Sequence, residues 1–239
     1  MIAIDHGINR NFTGDKINLR LDRTKNCHVM PLPIPRNMMI QSGQKLSIEF
    51  FSDEDIVKIF REISRKMEKD PSRVEYHQRY FLLTKFLLRT GGRIDEVLQL
   101  TPKDINLNTS TVKMKTLKQG KDKKSGLAIE KHRIIPMHPD LRDIYMQYLL
   151  AANIRQDSTD LLFPMKRQVV DLYLKKIQSN IGIGVHAHKF RRTFAVKAIM
   201  DNVPLNVLQQ WMGHSSVFTT SIYTQITGLD TSEFMERVR

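Results

Sequence analysis

A change of hydrophobic period near residue 100 restricts the fold of this chain more than any other feature. Before it, apolar residues recur every three to four positions, as one buried face of an α-helix requires. In "FFSDEDIVKIFREISRKMEKD", Ile56, Ile59, Phe60 and Ile63 make one stripe, Ser52 stands at the N-cap, and Asp53, Glu54 and Asp55 suit the positive end of the helix dipole. A second helical stretch, "EYHQRYFLLTKFLLRT", stops at Gly91-Gly92 and restarts as "RIDEVLQL", with Ile94, Val97 and Leu98 facing inward. Beyond it, "DINLNTSTVKMKTLKQ" and "KHRIIPMH" alternate or carry β-branched residues, which predicts a small antiparallel sheet with "GKDKKSG" as a charged turn. Helical spacing then resumes in "PDLRDIYMQYLLAA", "QVVDLYLKKIQSN", "HKFRRTFAVKAIMDN", "LNVLQQWMG" and "FTTSIYTQI". The expected fold class is mainly α with a small antiparallel β-sheet (α+β), without internal repeats.

Residues 1–45 read differently: closely spaced prolines in "MPLPIPRN" and seven Lys/Arg against three Asp describe a basic arm. The globular domain is expected over 46–239, with a C-terminal tail from about 228. Cys27 is the single cysteine, so no internal disulfide forms, and it lacks partners at zinc-ligand spacing. The longest apolar run, "YFLLTKFLL", is interrupted by Lys85, and "MIAIDHGINR" lacks the layout of a secretion signal. A soluble, cytoplasmic protein without membrane association is the expectation. Net charge narrows the class further: 38 Lys plus Arg against 25 Asp plus Glu gives +13, an excess that attracts polyanions, nucleic acid foremost.

Four segments carry side chains suited to chemistry. In "HAHKFRRTFAVKAI", His188 and Arg191 are three apart and share a helix face, although a basic helix with Phe190, Phe194, Ala195 and Ala198 as core explains the pattern equally well. His186 and His188 alone do not make a metal site. In "LLRTGGRIDEVLQL", Arg93 begins a helix with Glu96 one turn on, a pair that is ordinarily solvated. The hairpin supplies Lys113, Lys115, Lys118, Lys121, Lys123 and Lys124. "LQQWMGHSSVFTTSIYTQI" places His214 in the turn after Gly213 and Tyr223 near a helix end, away from any aromatic cluster. Together these residues describe one kind of site. Arginines clamp phosphate oxygens, histidines move protons, a lysine protonates a leaving alkoxide, and a tyrosine attacks phosphorus rather than filling a core.

At this point the sequence resembles the tyrosine recombinase, or phage integrase, family. "TGGRIDEVLQL" is similar to its first-arginine motif, "TLKQGK" to its hairpin lysine, "HKFRRTFA" to its His-x-x-Arg motif and "MGHSSVFTTSIYT" to its Gly-His then Tyr motif. The resemblance covers about residues 47–227 and implies roles. Arg93 and Arg191 would hold the scissile phosphate, and His214 would donate to one of its oxygens. Lys118 would be the general acid, with Lys115 and Lys121 on the same hairpin as competitors for that part. His188 would assist Tyr223, the nucleophile, and Glu96 would orient Arg93. Lys115, Lys121 and Arg192 are the expected DNA contacts.

The implied reaction is DNA cleavage to a 3′-phosphotyrosine and a free 5′-hydroxyl, then attack by a partner strand, with neither metal nor cofactor required. The implied partners are double-stranded DNA carrying specific recombination sites and further subunits, as a tetramer on synapsed DNA. Leu229, Phe234, Met235 and Val238 in the tail would pack on a neighbouring subunit or fold back. The chain departs from the family in having only about 45 residues where a separate helical domain usually precedes the catalytic one. A type IB topoisomerase shares this chemistry, although the compact "GHSSVFTTSIYT" block favours a recombinase. A non-catalytic regulator using "LNVLQQWMGHSS" as a helix-turn-helix is the alternative from another class.

Overall fold

A computed structural model describes residues 48–116, 131–216 and 218–225 of the 239-residue chain. All of them belong to the unit spanning Lys45–Arg239. The expected N-terminal arm, Lys118 and Lys121 and the C-terminal tail lie outside the described residues.

Helix α1 (Asp53–Lys69) begins with a reciprocal cap: Ser52 Oγ accepts from the Asp55 amide, and Asp55 accepts from the Ser52 amide, both at 3.2 Å. Its predicted stripe faces the core, with Ile59 and Ile63 fully buried and Ile56 and Phe60 packed at the edge. Helix α2 (Val74–Thr90) is the centre of the domain and packs against α1, α4 and α6. It therefore buries side chains on most of its circumference, among them Tyr80, Leu83, Phe86 and Leu87. The helix ends because Gly91 takes φ +60, where a side chain is strained; a Cβ there would also lie 2.3 Å from the ring of Phe194. The chain then turns into the single-turn helix α3 (Ile94–Val97), which buries Ile94 and Val97.

Strands β1 (Ile105–Asn106), β2 (Thr111–Thr116) and β3 (Lys131–Pro136) form an antiparallel sheet in the order β1-β2-β3. Val112 pairs with Ile135 and Met114 with Arg133, so these four share the buried face. Helices α4 (Pro139–Ala151) and α5 (Arg167–Ile181) complete the main core.

Helix α6 (Ala187–Met200) carries the His-x-x-Arg segment, and α7 (Leu205–Met212) stops at Gly213, φ +63. The last apolar stretch was expected to be one helix. It forms a single α-turn, α8 (Phe218–Ser221), and then tightens into a 3-10 turn over Ile222–Gln225, a common ending for a short helix. A second, smaller core joins Ala195, Val196, Ala198 and Ile199 of α6 to Leu208 and Met212 of α7 and to Tyr223. No described helix is long and apolar enough to cross a membrane.

Candidate active site

The two sequence motifs built on arginine meet where the C-terminus of α2, the start of α3, the first turns of α6 and the end of α7 converge. Arg191 sits at the centre and is only 2% exposed. Its Nη1 donates to the Gly91 carbonyl, and its Nη2 donates to the Met212 carbonyl at 2.8 Å and to His214 Nε2 at 2.9 Å. The two left-handed glycines thus end helices so that main-chain oxygens are presented to one guanidinium. None of these partners is a carboxylate. Burial first, and then the neighbouring charge of Arg93, push its pKa down to about 9, so it remains a cation at neutral pH.

Glu96 is 1% exposed, which contradicts the solvated ion pair that its spacing from Arg93 suggests. Its Oε1 accepts from Arg93 Nη1 at 2.9 Å, and its Oε2 accepts from the Arg93 amide at 3.0 Å. A third donor, Arg133 Nη2, lies 2.6 Å from Oε2. Burial alone would raise the Glu96 pKa; the Arg133 and Arg93 hydrogen bonds and charges outweigh it and hold the carboxyl below its ordinary value. The arrangement the resemblance implies, Glu96 holding Arg93, is therefore formed by a charged triad.

Arg133 was missed in the motif reading. It is 9% exposed and bridges separate elements, donating from Nε to the Trp211 carbonyl at 2.7 Å and from Nη1 to Thr116 Oγ1 at 3.0 Å. The sequence held one signal. At the two-residue period of a strand, Arg133 is in phase with Ile135 and Met137, both buried, while Ile134 between them is 66% exposed. A cation in phase with the core needs buried partners, and here it has them.

His214 is fixed as a neutral tautomer. A guanidinium only donates, so Nε2 accepts from Arg191 and the ring proton sits on Nδ1, 2.9 Å from Thr220 Oγ1. Burial first, then the charges of Arg191, Arg93 and Arg133, push its pKa down to about 4. His188 is exposed in the first turn of α6, and burial of part of the ring with nearby Arg192 and Arg191 lowers its pKa as well. His186 instead caps the helix by accepting from the Lys189 amide at 3.2 Å.

Tyr223 lies within the charge field of Arg191 and Arg192, but it is 7% exposed and packed in the second core. The expectation that it stands clear of a core does not hold for this state of the chain. Burial raises its pKa, partly opposed by the two arginines. Arg192 and Lys115 are half-buried, on α6 and β2. Among the described residues no group of three His, Cys, Asp or Glu side chains is placed to hold a metal ion.

Comparison with known proteins identifies the family and the fold. A model of the phage integrase family matches residues 49–228. The chain is 28% identical over 167 residues to the tyrosine recombinase XerA of Pyrococcus horikoshii, covering 66% of this chain and 54% of that protein. It is 27% identical over 145 residues to the XerA of Saccharolobus solfataricus, 61% of this chain and 45% of the other. A resolvase of Escherichia coli is 28% identical over 62% of this chain and 67% of its own length. The chain thus spans about half the length of these XerA proteins.

Among solved structures, the fold is similar to XerA recombinase (TM-score 0.58, 23% identity, 81% of this chain and 65% of that one). It is also similar to the catalytic domain of bacteriophage HP1 integrase (TM-score 0.52, 18% identity, 80% of this chain and 97% of that one). A family match running across most of the sequence, on a fold shared with these enzymes, means that the chain belongs to the phage integrase family.

Proposed function

We propose that the chain is the catalytic part of a site-specific DNA recombinase that cuts and rejoins duplex DNA through a 3′-phosphotyrosine at Tyr223, in integration, excision or resolution. The observation that carries this reading is Arg191. A buried charge ordinarily has a countercharge, yet its partners are two carbonyls and a neutral imidazole. Among the described residues Arg93 and Arg133 share one carboxylate, Glu96, and Arg191 is paired with none, so three guanidiniums are set against a single acid and the cluster suits a further anion. A phosphodiester suits it, since its two non-bridging oxygens match planar guanidinium donors. The +13 net charge draws the whole polyanion.

In the proposed reaction Arg93 and Arg191 hold the scissile phosphate. The Tyr223 oxygen forms a bond to phosphorus as the bond to the 5′-oxygen breaks. Lys118 protonates that oxygen, with Lys115 and Lys121 as the other candidates on the hairpin. His188, neutral because its pKa is lowered, takes the phenol proton. A phosphate displacing His214 Nε2 from Arg191 would let the ring proton move to Nε2 and donate to it. The 5′-hydroxyl of a partner strand then reverses the chemistry, exchanging one ester for another of similar energy, with no cofactor. Lys115, Lys121 and Arg192 contact the DNA backbone.

Relatives support the partner. XerH has been solved bound to its difH substrate, and Tn1549 integrase with circular intermediate DNA. The active species is proposed to be a tetramer on synapsed DNA, with Leu229, Phe234, Met235 and Val238 docking on the next subunit. Cooperative synapsis that survives deletion after Thr227 would contradict that docking.

The test is cleavage of suicide duplexes built from sequences flanking the gene, wild type against Tyr223→Phe. The expected result is a denaturation-resistant protein–DNA band, absent in the variant, and transfer of that strand to a second duplex. Relaxation of supercoils without transfer would mark a topoisomerase. Specific binding without any adduct would mark a regulator.

A further inference from the structure

We infer that Arg133 is a positioning residue for the anion site, setting Arg93 through Glu96 and Arg191 through the end of α7. The inference rests on the functional reading above for its reaction, and on geometry alone for its placement.

Consider first what Arg133 does to Glu96. A carboxylate and an arginine three residues apart can meet fork to fork, with both oxygens on one guanidinium. Here Arg133 occupies Oε2 at 2.6 Å, so Arg93 keeps a single side-chain bond, to Oε1. No other side-chain donor of Arg93 bonds the carboxylate, and the side chain is 26% exposed. Without Arg133, Glu96 would be free to draw the whole Arg93 guanidinium inward and neutralise it.

The second half of the arrangement lies on α7. Arg133 Nε holds the Trp211 carbonyl at 2.7 Å, and the next residue, Met212, supplies the carbonyl that holds Arg191. The guanidinium also lies against Gly213, where a Cβ would come within 3.1 Å of Nη1. One side chain thus touches the supports of both arginines proposed to hold the phosphate, which are far apart in sequence. Four of its five N–H groups are engaged, by Trp211, Thr116, Glu96 and the Sδ of Met114. A lysine keeps the charge but cannot reach acceptors on three elements. Its charge also contributes, with Arg191 and Arg93 and against Glu96, to keeping His214 neutral.

The test compares wild type, Arg133→Lys, Arg93→Ala and the double variant for the rate of Tyr223 adduct formation on the suicide duplexes. Arg133→Lys should slow the adduct about 100-fold, the loss typical of a misplaced catalytic group, while affinity for the duplex falls by no more than about tenfold. In the Arg93→Ala background its effect should be clearly smaller, because part of what Arg133 positions is gone. A wild-type rate, or losses that multiply in full, would overturn the inference and leave Arg133 a core residue only. Should Arg133→Lys not fold, the buried pair is replaced as a unit, Arg133→Met with Glu96→Gln, and the comparison repeated.

If the wild type forms no adduct, the recombinase reading fails, and inorganic phosphate decides this one. Titrated into histidine-labelled protein and followed at His188 and His214, phosphate should bind Arg133→Lys about tenfold more weakly than wild type. Equal affinity, or no response in the wild type, would refute the positioning role.

Discussion

Glu96→Gln removes the one negative charge in the Arg93–Glu96–Arg133 triad while keeping the shape of the side chain. The carboxylate accepts three N–H groups, Arg93 Nη1 at 2.9 Å, the Arg93 amide at 3.0 Å and Arg133 Nη2 at 2.6 Å. Glutamine has one oxygen, so its amide group must confront at least one of these donors. The cheaper placement puts the oxygen at Oε2 and turns Arg93 Nη1 toward solvent, which is feasible because that side chain is 26% exposed. Each retained bond loses its charge assistance, about 1 kcal/mol, and one bond is lost outright. Two guanidiniums are then left with no counterion among the described residues, and one of them, Arg133, is buried. The expected cost is about 3 kcal/mol at pH 7, at the lower end of what breaking a buried pair usually costs.

Urea unfolding measures it as a lower midpoint at unchanged slope. Acid supplies a check on the cause. The folded-state pKa of Glu96 is depressed below the ordinary 4.5, so its contribution is complete above that value. It is lost as pH falls through the folded value, because the unfolded chain takes up the proton first. The gap between wild type and variant should therefore narrow below pH 4.5. A cost under about 1 kcal/mol, or a gap that stays constant on acidification, would show that Glu96 does not work as a buried charge.

Other expectations follow from the same geometry. His214 should titrate near pH 4 by NMR; since its unfolded value is 6.5, its share of stability is present above pH 6.5 and fades between there and 4, and a midpoint above 6 would contradict its contact with Arg191. Gly91→Ala should destabilise by about 2–4 kcal/mol, combining a left-handed backbone with a collision at Phe194, and Phe194→Leu should return only the steric part in thermal melts. Tyr223→Phe should abolish the adduct yet change stability by less than about 1 kcal/mol in urea titrations, because the buried ring is retained.

The helices were legible because their cores are local and periodic: Ile59 and Ile63 face inward on α1 as the spacing demands. The Ser52 cap and the stops at Gly91 and Gly213 were legible for the same reason, each depending on neighbours within a turn. Glu96 was identified from resemblance, while its burial was not, since a three-residue spacing says nothing about what covers it. Arg133 stayed hidden among the hairpin's cations because its partners are remote: Glu96 is 37 residues away and Trp211 is 78. Tyr223 was read as a reaching nucleophile, and only tertiary packing against α6 and α7 reveals the pocket in which its ring rests.

The two arginines proposed to hold the phosphate are secured by different materials, and this bears on how the sequence can drift. Arg191 is held by main-chain oxygens of Gly91 and Met212, which every amino acid possesses. Its anchors survive any replacement that preserves the path of the chain, so a saturation library at Met212 should tolerate other apolar residues that fill the same buried space. Arg93 is held by the carboxylate of one particular side chain, and a single nucleotide change can erase it. Selection therefore has to guard the identity of Glu96, whereas at Met212 it has only to guard a shape.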